Sequence, residues 1–490
     1  MKLLRKLLCI GLMATMLLPI LSACAGEREE SDTPSAAAED LTIVADQKSE
    51  YVLIYPDGAT DAEMAEYREF SALLREKLFV FIDLKSDADV AQSEGAKEIL
   101  LGLTNRPQSQ SAYGKLETDQ VGFYVIDGQI SIVSNFDGGF ILAAKEFLNR
   151  YITEDQKLVV SSDLSVRIQG SVGYLYKEVS NTQDIGGDDP YVIEHEGSYY
   201  YCWSDGGVMV AKIDSLDNIV KDNGVRVFDR AKGGFENVWA PELHYIDGEW
   251  YIYVAMCQGT TDNAAHRMYC LKGTSQDPTD PFELVGKVTD RTDKWAIDGT
   301  VFKYNDELYT VWSGWAGDTD GQQNLYIAHM SNPWTIDSDR VLISSPTKPY
   351  ERYDTSPAAV NEGPAVLING DTIIVVYSCN GSWGDNYSLA AVYCKGNNLM
   401  KSKGWTKLDK PLLTKGPKCY GPGHCSFTTA EDGSLWVVYH ANIESGSGWG
   451  GRSVRIQPVE WKDGLPYIGS AKLKVNLPYL SLTLGEVVEE

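Results

Sequence analysis

The chain has 490 residues, 43% of them apolar and 23% charged, which is a globular composition too long for one ordinary domain. Its formal charge of −26, with no lysine or arginine cluster beyond the first few residues, excludes a phosphate-tracking surface, so nucleic acid is not an expected partner. The same charge repels polyanions and favours neutral ligands, or the neutral branches of charged ones.

Residues 1–24 read as a targeting segment: Lys2, Arg5 and Lys6, an apolar run from Leu7 to Ile20, then Leu21-Ser22-Ala23-Cys24. The run is too short for a permanent membrane span. Its last four residues resemble the bacterial lipobox, which implies cleavage before Cys24, lipidation of its sulfur, and anchoring to the cell envelope outside the cytoplasm. Residues 25–40 are polar and poor in aromatics, as a flexible tether should be.

From 41 to 170 the pattern alternates strand and helix. YVLIYPDG predicts a strand and turn, and Met64, Tyr67, Phe70, Leu74 and Leu78 fall at helical spacing over 61–78. FVFIDL, EILLGLTN and the hairpin GFYVIDGQISIVS follow, the last turning at Asp127-Gly128; a helix over 139–151 closes a small α/β domain. The segment LLGLTNRPQSQ and the strand pair after it resemble the accessory domain that precedes the catalytic barrel of family 20 hexosaminidases and family 67 glucuronidases. No convergent catalytic set occurs here, so the expected role is spacer or support, with glycan contact as the alternative.

After a connector over 171–184 one plan repeats five times. DDPYVIEHEGSYYYCWS from Asp188 is followed by WAPELHYIDGEWYIYVA from Trp239 and AIDGTVFKYNDELYTVWSG from Ala296, then by NEGPAVLINGDTIIVVYSC from Asn361 and GHCSFTTAEDGSLWVVYHA from Gly423. Each is a polar residue, an apolar strand, a tight turn and an aromatic-rich strand, hence a β-hairpin. Aligned on their turns, the copies place Asp189, Glu242, Asp298, Glu362 and His424 at matching positions, 53, 56, 64 and 62 residues apart. That spacing predicts an all-β five-bladed β-propeller over 171–490, preceded by the α/β domain, with blades near 185–230, 237–290, 296–345, 360–412 and 420–470. The tail VNLPYLSLTLGEVVEE is expected to add a closing strand.

Innermost strands of a propeller open at one end of a central channel, so these five polar groups should converge. Glycoside cleavage needs a protonated acid on the leaving oxygen and an ionised carboxylate opposite, which such a mouth can supply. Taken singly, Asp189 before Pro190, Asp298 before Gly299 and Glu362 before Gly363-Pro364 are ordinary turn or strand-end residues; together, opening three blades of one ring, they point to catalysis. Strand alternation allows only one of Asp188 and Asp189 to face the channel. Seven cysteines follow the signal: Cys202, Cys257, Cys270, Cys379, Cys394, Cys419 and Cys425. An odd number cannot all pair internally; Cys419 with Cys425, or Cys379 with Cys394, could meet, but buried free thiols are the expectation.

The propeller region resembles glycoside hydrolase family 43 at Asp189-Pro190 with Gly197-Ser198-Tyr199-Tyr200, at Trp239-Ala240-Pro241-Glu242-Leu243, at Ile297-Asp298-Gly299-Thr300, at Glu362-Gly363-Pro364 and at Gly421-Pro422-Gly423-His424. The resemblance implies that Asp189 is a general base, Glu362 a general acid, and Asp298 the group that orients Glu362 and raises its pKa. Glu242 becomes a hydrogen-bonding or structural neighbour. His424 is either a satisfied buried histidine or, as in many relatives, the residue beside a channel metal ion, here a structural Ca2+. Trp239, Trp315 and Arg452 become substrate-binding residues, with Trp203, Trp383, Trp449, Tyr420 and Arg455 as further candidates. The implied activity is an inverting, exo-acting α-L-arabinofuranosidase on plant cell-wall arabinan or arabinoxylan, expected as a monomer. Alternatives are a β-xylosidase or endo-arabinanase on the same scaffold, or a surface sugar-binding lipoprotein without catalysis; retention of all three carboxylates argues against the last.

Overall fold

A computed structural model describes residues 38–489, Glu94 apart. The targeting segment, Cys24 and most of the tether lie outside the described residues. The chain divides into two compact units: one ends at Gly170 and takes in the chain from Leu484 onward, the other is Ser171–Thr483.

In the first unit, helix Asp61–Leu78 starts where Thr60 accepts the Glu63 N–H while the Glu63 carboxylate accepts the Thr60 N–H, a reciprocal cap. Tyr67, Phe70, Leu74 and Leu78 are its buried face, and helix Gly139–Tyr151 buries Phe140, Ala143, Ala144, Phe147 and Leu148. Both pack into one core with a sheet whose strands Leu84–Ser86, Val52–Tyr55, Glu98–Leu101 and Gln129–Ser134 are parallel. Strand Gln120–Ile126 returns antiparallel through the Asp127-Gly128 turn. A short helix, Pro107–Tyr113, was not anticipated; Arg106 before it is buried and ion-paired to Glu98 at 3.0 Å.

The second unit holds five blades. Their innermost strands are Tyr191–His195, Phe235–Ile246, Ala296–Tyr304, Asn361–Asn369 and Tyr420–Thr429. Alternating side chains put one face of each blade against the next. Five apolar clusters result, joining blades one and two around Leu243 and Val210, two and three around Tyr253 and Trp312, three and four around Val311 and Val375, four and five around Val376 and Val437, and five and one around Val438 and Tyr201.

Ring closure differs from expectation. The fourth strand of the last blade is Thr182–Ile185, paired antiparallel to Arg452–Pro458 with Ser453 opposite Ile185 and Arg455 opposite Thr182. The tail strand Lys474–Glu489 instead neighbours Ser165–Ser180, and its last residues belong to the α/β unit. Thr-Gln-Asp-Ile is too short and polar to announce itself as a strand, and only its partner's free edge makes it one. All seven described cysteines are buried free thiols. Cys379 faces Ser388 and Cys394 faces Ile373 across the same pair of strands, so those two thiols are out of register.

Candidate active site

The innermost strands do not run regularly to the channel mouth. In blades two to five the pairing slips between Trp239 and Glu242, Ile297 and Thr300, Glu362 and Ala365, and Gly423 and Cys425, each slip inserting one extra residue. Within each slip one residue is left-handed: Ala240 (φ 42°), Asp298 (52°), Gly363 (54°) and His424 (45°); in blade one Asp189 (42°) has the same conformation just before its strand begins. Bulges of this kind re-aim side chains beside active sites, and four non-glycine residues in this region mark strain that tertiary contacts must sustain. Glu362 therefore sits one residue before its blade's left-handed position and Glu242 two after, a shift that alignment on turns does not reveal.

Neighbouring blades lock these positions. The Ser426 hydroxyl donates to the Pro190 carbonyl and accepts the Val192 N–H, both at 3.0 Å. The His424 N–H donates to the Ser378 hydroxyl at 2.7 Å, and the Gly363 N–H donates to Asp298 Oδ2 at 3.0 Å. A cavity of about 560 Å³ opens here, lined by Asp189, Asp298, Glu362, His424, Trp239 and Arg452 among others. Three carboxylates more than a hundred residues apart end to end thus share one hollow.

Their charges are set apart by their surroundings. Burial alone would raise the Asp189 carboxyl, but His424 Nδ1 at 3.2 Å and Arg452 Nη1 at 3.5 Å hold it well below the usual carboxylate range. Burial pushes Glu362 up to about 8, helped by the negative charge of Asp298. Asp298 itself is raised to about 6 by burial, with His424 at 4.0 Å opposing the push and Asp189 adding to it. Burial would lower His424, yet the carboxylates of Asp189, Asp298, Glu362 and Glu242 together raise it, which favours its charged form beside them. His440 accepts the Asp189 N–H at 3.1 Å and is driven down to about 3 by burial and Arg452, so it stays neutral.

Other expectations fare variously. Trp239 lines the cavity, 39% exposed, its ring stacked on His266 at 3.8 Å. Trp315 does not: both it and Trp295 are buried, stacked at 4.5 Å, and it is Trp295 that belongs to the cavity lining. Trp383 and Trp449 line it as well, whereas Trp203 packs on Tyr201, and Tyr420 is not among the lining residues. Arg455 is buried against Asn181 and the Lys418 carbonyl, away from the site. Glu242 is buried and bonded to His244 at 2.8 Å. Asp188 lines the cavity together with Asp189. The alternation argument fails because neither residue lies in a strand, and the left-handed Asp189 lets both side chains face the hollow.

Sequence reasoning missed Trp295, Asn263 and Gln323, which line the cavity, Tyr387, whose side chain interacts with that of Glu362, and His440 on Asp189. His440 had a readable signal, since it lies near the end of the second strand of the fifth repeat, opposite Gly423; Trp295 lies one residue before the third repeat as delimited. For the calcium expected near His424, no group of three or more His, Cys, Asp or Glu side chains among the described residues is arranged to hold an ion. His424 Nδ1 is turned onto carboxylates, where a hard, oxygen-seeking cation would compete with it.

With this geometry in hand, comparison with known proteins is direct. The sequence profile of glycosyl hydrolases family 43 matches residues 186–466, more than half the chain. The chain belongs to glycosyl hydrolases family 43. Among curated members, it is 32% identical over 298 residues to the extracellular exo-alpha-(1->5)-L-arabinofuranosidase of Streptomyces avermitilis, and 32% identical over 306 residues to alpha-L-arabinofuranosidase 43 of Humicola insolens. Each match covers 57% of this chain and 61% of the relative, so the family 43 part of the chain spans less than two thirds of those proteins. Among solved structures, the alpha-L-arabinofuranosidase from Lactobacillus brevis aligns with a TM-score of 0.55 at 30% identity, covering 60% of this chain and 97% of that one.

Proposed function

We infer that the chain is an inverting, exo-acting α-L-arabinofuranosidase that releases arabinose from arabinan or arabinoxylan. The observation that carries this reading is the opposed protonation of two carboxyls in one cavity, Asp189 held ionised and Glu362 held protonated at neutral pH. In the proposed reaction Asp189 takes a proton from water as the water attacks the anomeric carbon. Glu362 delivers its proton to the departing glycosidic oxygen. Asp298 fixes the backbone beside Glu362 through Gly363 and its charge helps keep the acid protonated. The arabinofuranosidase names of the relatives support the choice of sugar.

Inversion requires carboxyls about 6.5 to 9.5 Å apart, leaving room for the water. Trp239 offers a ring face to the sugar, and Arg452 anchors the site through Asp188 at 3.0 Å. The targeting segment and Cys24 would tether the enzyme outside the cytoplasm, in keeping with the extracellular relative, and the α/β unit would serve as spacer or support. Incubation with arabinan, arabinoxylan and xylo-oligosaccharides tests the reading. Arabinose as sole early product with inverted configuration is expected; xylose or internal arabinan fragments would replace it with the β-xylosidase or endo-arabinanase alternative. Asp189→Asn should abolish hydrolysis without loss of folding, and near-normal turnover by that variant would remove Asp189 from the base role.

A further inference from the structure

One wall of the cavity is built from two loops of different blades. The loop after Thr372–Cys379 carries Ser382, Trp383 and Asp385, and the glycine-rich loop after Leu435–Asn442 carries Ser445, Gly446 and Trp449. Asp385 accepts the Gly446 N–H at 2.9 Å and the Ser445 hydroxyl, and the Trp449 indole N–H donates to the Ser382 hydroxyl at 3.2 Å. Arg452 closes the corner, donating to the Ser382 carbonyl at 3.1 Å. The ring of Trp383 lies over Gly381 so closely that a Cβ there would come within 2.2 Å of it. Both indoles line the cavity, yet Trp449 is 63% exposed. A tryptophan left that open forgoes much of its burial energy, while its N–H bond fixes the plane of its ring. A fixed, solvent-facing aromatic plane beside a sugar cavity suits the flat apolar face of a sugar ring.

Its place in the ring decides which sugar. Glu362 opens the fourth blade, and the leaving oxygen must reach that acid, so the departing part of the substrate lies on the fourth-blade side. Trp383 belongs to that blade, and Trp449, from the next, is tied to it by its bond to Ser382. We propose that Trp449, braced by Asp385, forms the leaving-group subsite, where it stacks on the second sugar of an arabino-oligosaccharide. This rests on the glycosidase reading above. In consequence Trp449 governs how well the enzyme takes extended chains without touching the cleaved residue itself.

The test compares α-1,5-linked arabinotriose, which occupies the subsite, with free arabinose, which needs only the pocket for the cleaved sugar. For Trp449→Ala, KM for arabinotriose should rise about tenfold, while the inhibition constant of arabinose stays within about twofold. Trp449→Phe should recover most of the loss, and Asp385→Ala, which frees the loop, should follow Trp449→Ala in direction. An unchanged KM, or an equal loss of arabinose affinity, would overturn the proposal. Calorimetric titration of the unaltered protein separates the two readings. Binding of arabinotriose without cleavage, weakened by Trp449→Ala, would keep the subsite and remove the hydrolase; cleavage indifferent to Trp449 would do the reverse; neither binding nor cleavage would remove both.

Discussion

Asp298 Oδ2 accepts the backbone N–H of Gly363 at 3.0 Å, so the carboxylate of the third blade holds the residue that follows Glu362 in the fourth. One side chain thereby controls where the proposed acid points and, through its charge, when the acid ionises. Asp298→Asn keeps an acceptor for that N–H but removes the charge. Since burial is the larger cause of the raised Glu362 pKa and Asp298 the second, the basic limb of the pH profile should move below about 8 without reaching the ordinary carboxylate value. Turnover should fall on the order of 100-fold with KM little changed. A pH series of kcat and KM for the variant checks both.

The raised pKa of Glu362 also fixes the pH response of the unaltered enzyme. kcat/KM should decline above pH about 8 as the acid loses its proton. Stability follows the same group: its folded-state pKa lies above the unfolded value, so its contribution is fully present below about 4.5 and is lost as pH rises through about 8. Glu362→Gln removes that dependence. Thermal melts of the two proteins should therefore diverge between pH 5 and pH 9, the variant being relatively more stable at the alkaline end.

His424 is the cation nearest to both Asp189 and Asp298. Replacing it with Asn leaves burial less opposed at Asp189, whose pKa must rise, so an acid limb should enter the kcat/KM profile at a pH where the unaltered enzyme shows none. Profiles measured between pH 4 and 7 would reveal it; coincident profiles would mean that Arg452 suffices to keep Asp189 ionised.

Closure of the ring by Thr182–Ile185 makes the two ends of the propeller unequal. Removal of that strand leaves the edge of Arg452–Pro458 unpaired, beside the arginine of the site, and should abolish both activity and cooperative unfolding. Deletion of 484–490, which belong to the α/β unit, should leave turnover of a small arabinofuranoside near normal. Activity and denaturation curves of the two truncations distinguish this arrangement from closure by the tail.

What could be read in advance was local in origin. Helix Asp61–Leu78 is written in the spacing of Tyr67, Phe70, Leu74 and Leu78 and in its Thr60–Glu63 cap, and the blades in two-residue alternation broken by turn residues. Asp189, Asp298, Glu362 and His424 were legible because a repeat that folds the same way five times must bring equivalent positions to one axis.

Tertiary structure alone decided the rest. Trp315 was the expected indole, but it stacks against Trp295, which lines the cavity in its place. Asp188 joined Asp189 because a left-handed backbone, costly in isolation, is sustained by bonds from His440 and Ser426. The charge states of the three carboxyls depend on burial and on distances of a few ångströms between residues from different blades. No local pattern can encode them, since electrostatic coupling follows separation in space and the exclusion of water, neither of which exists until the ring has closed.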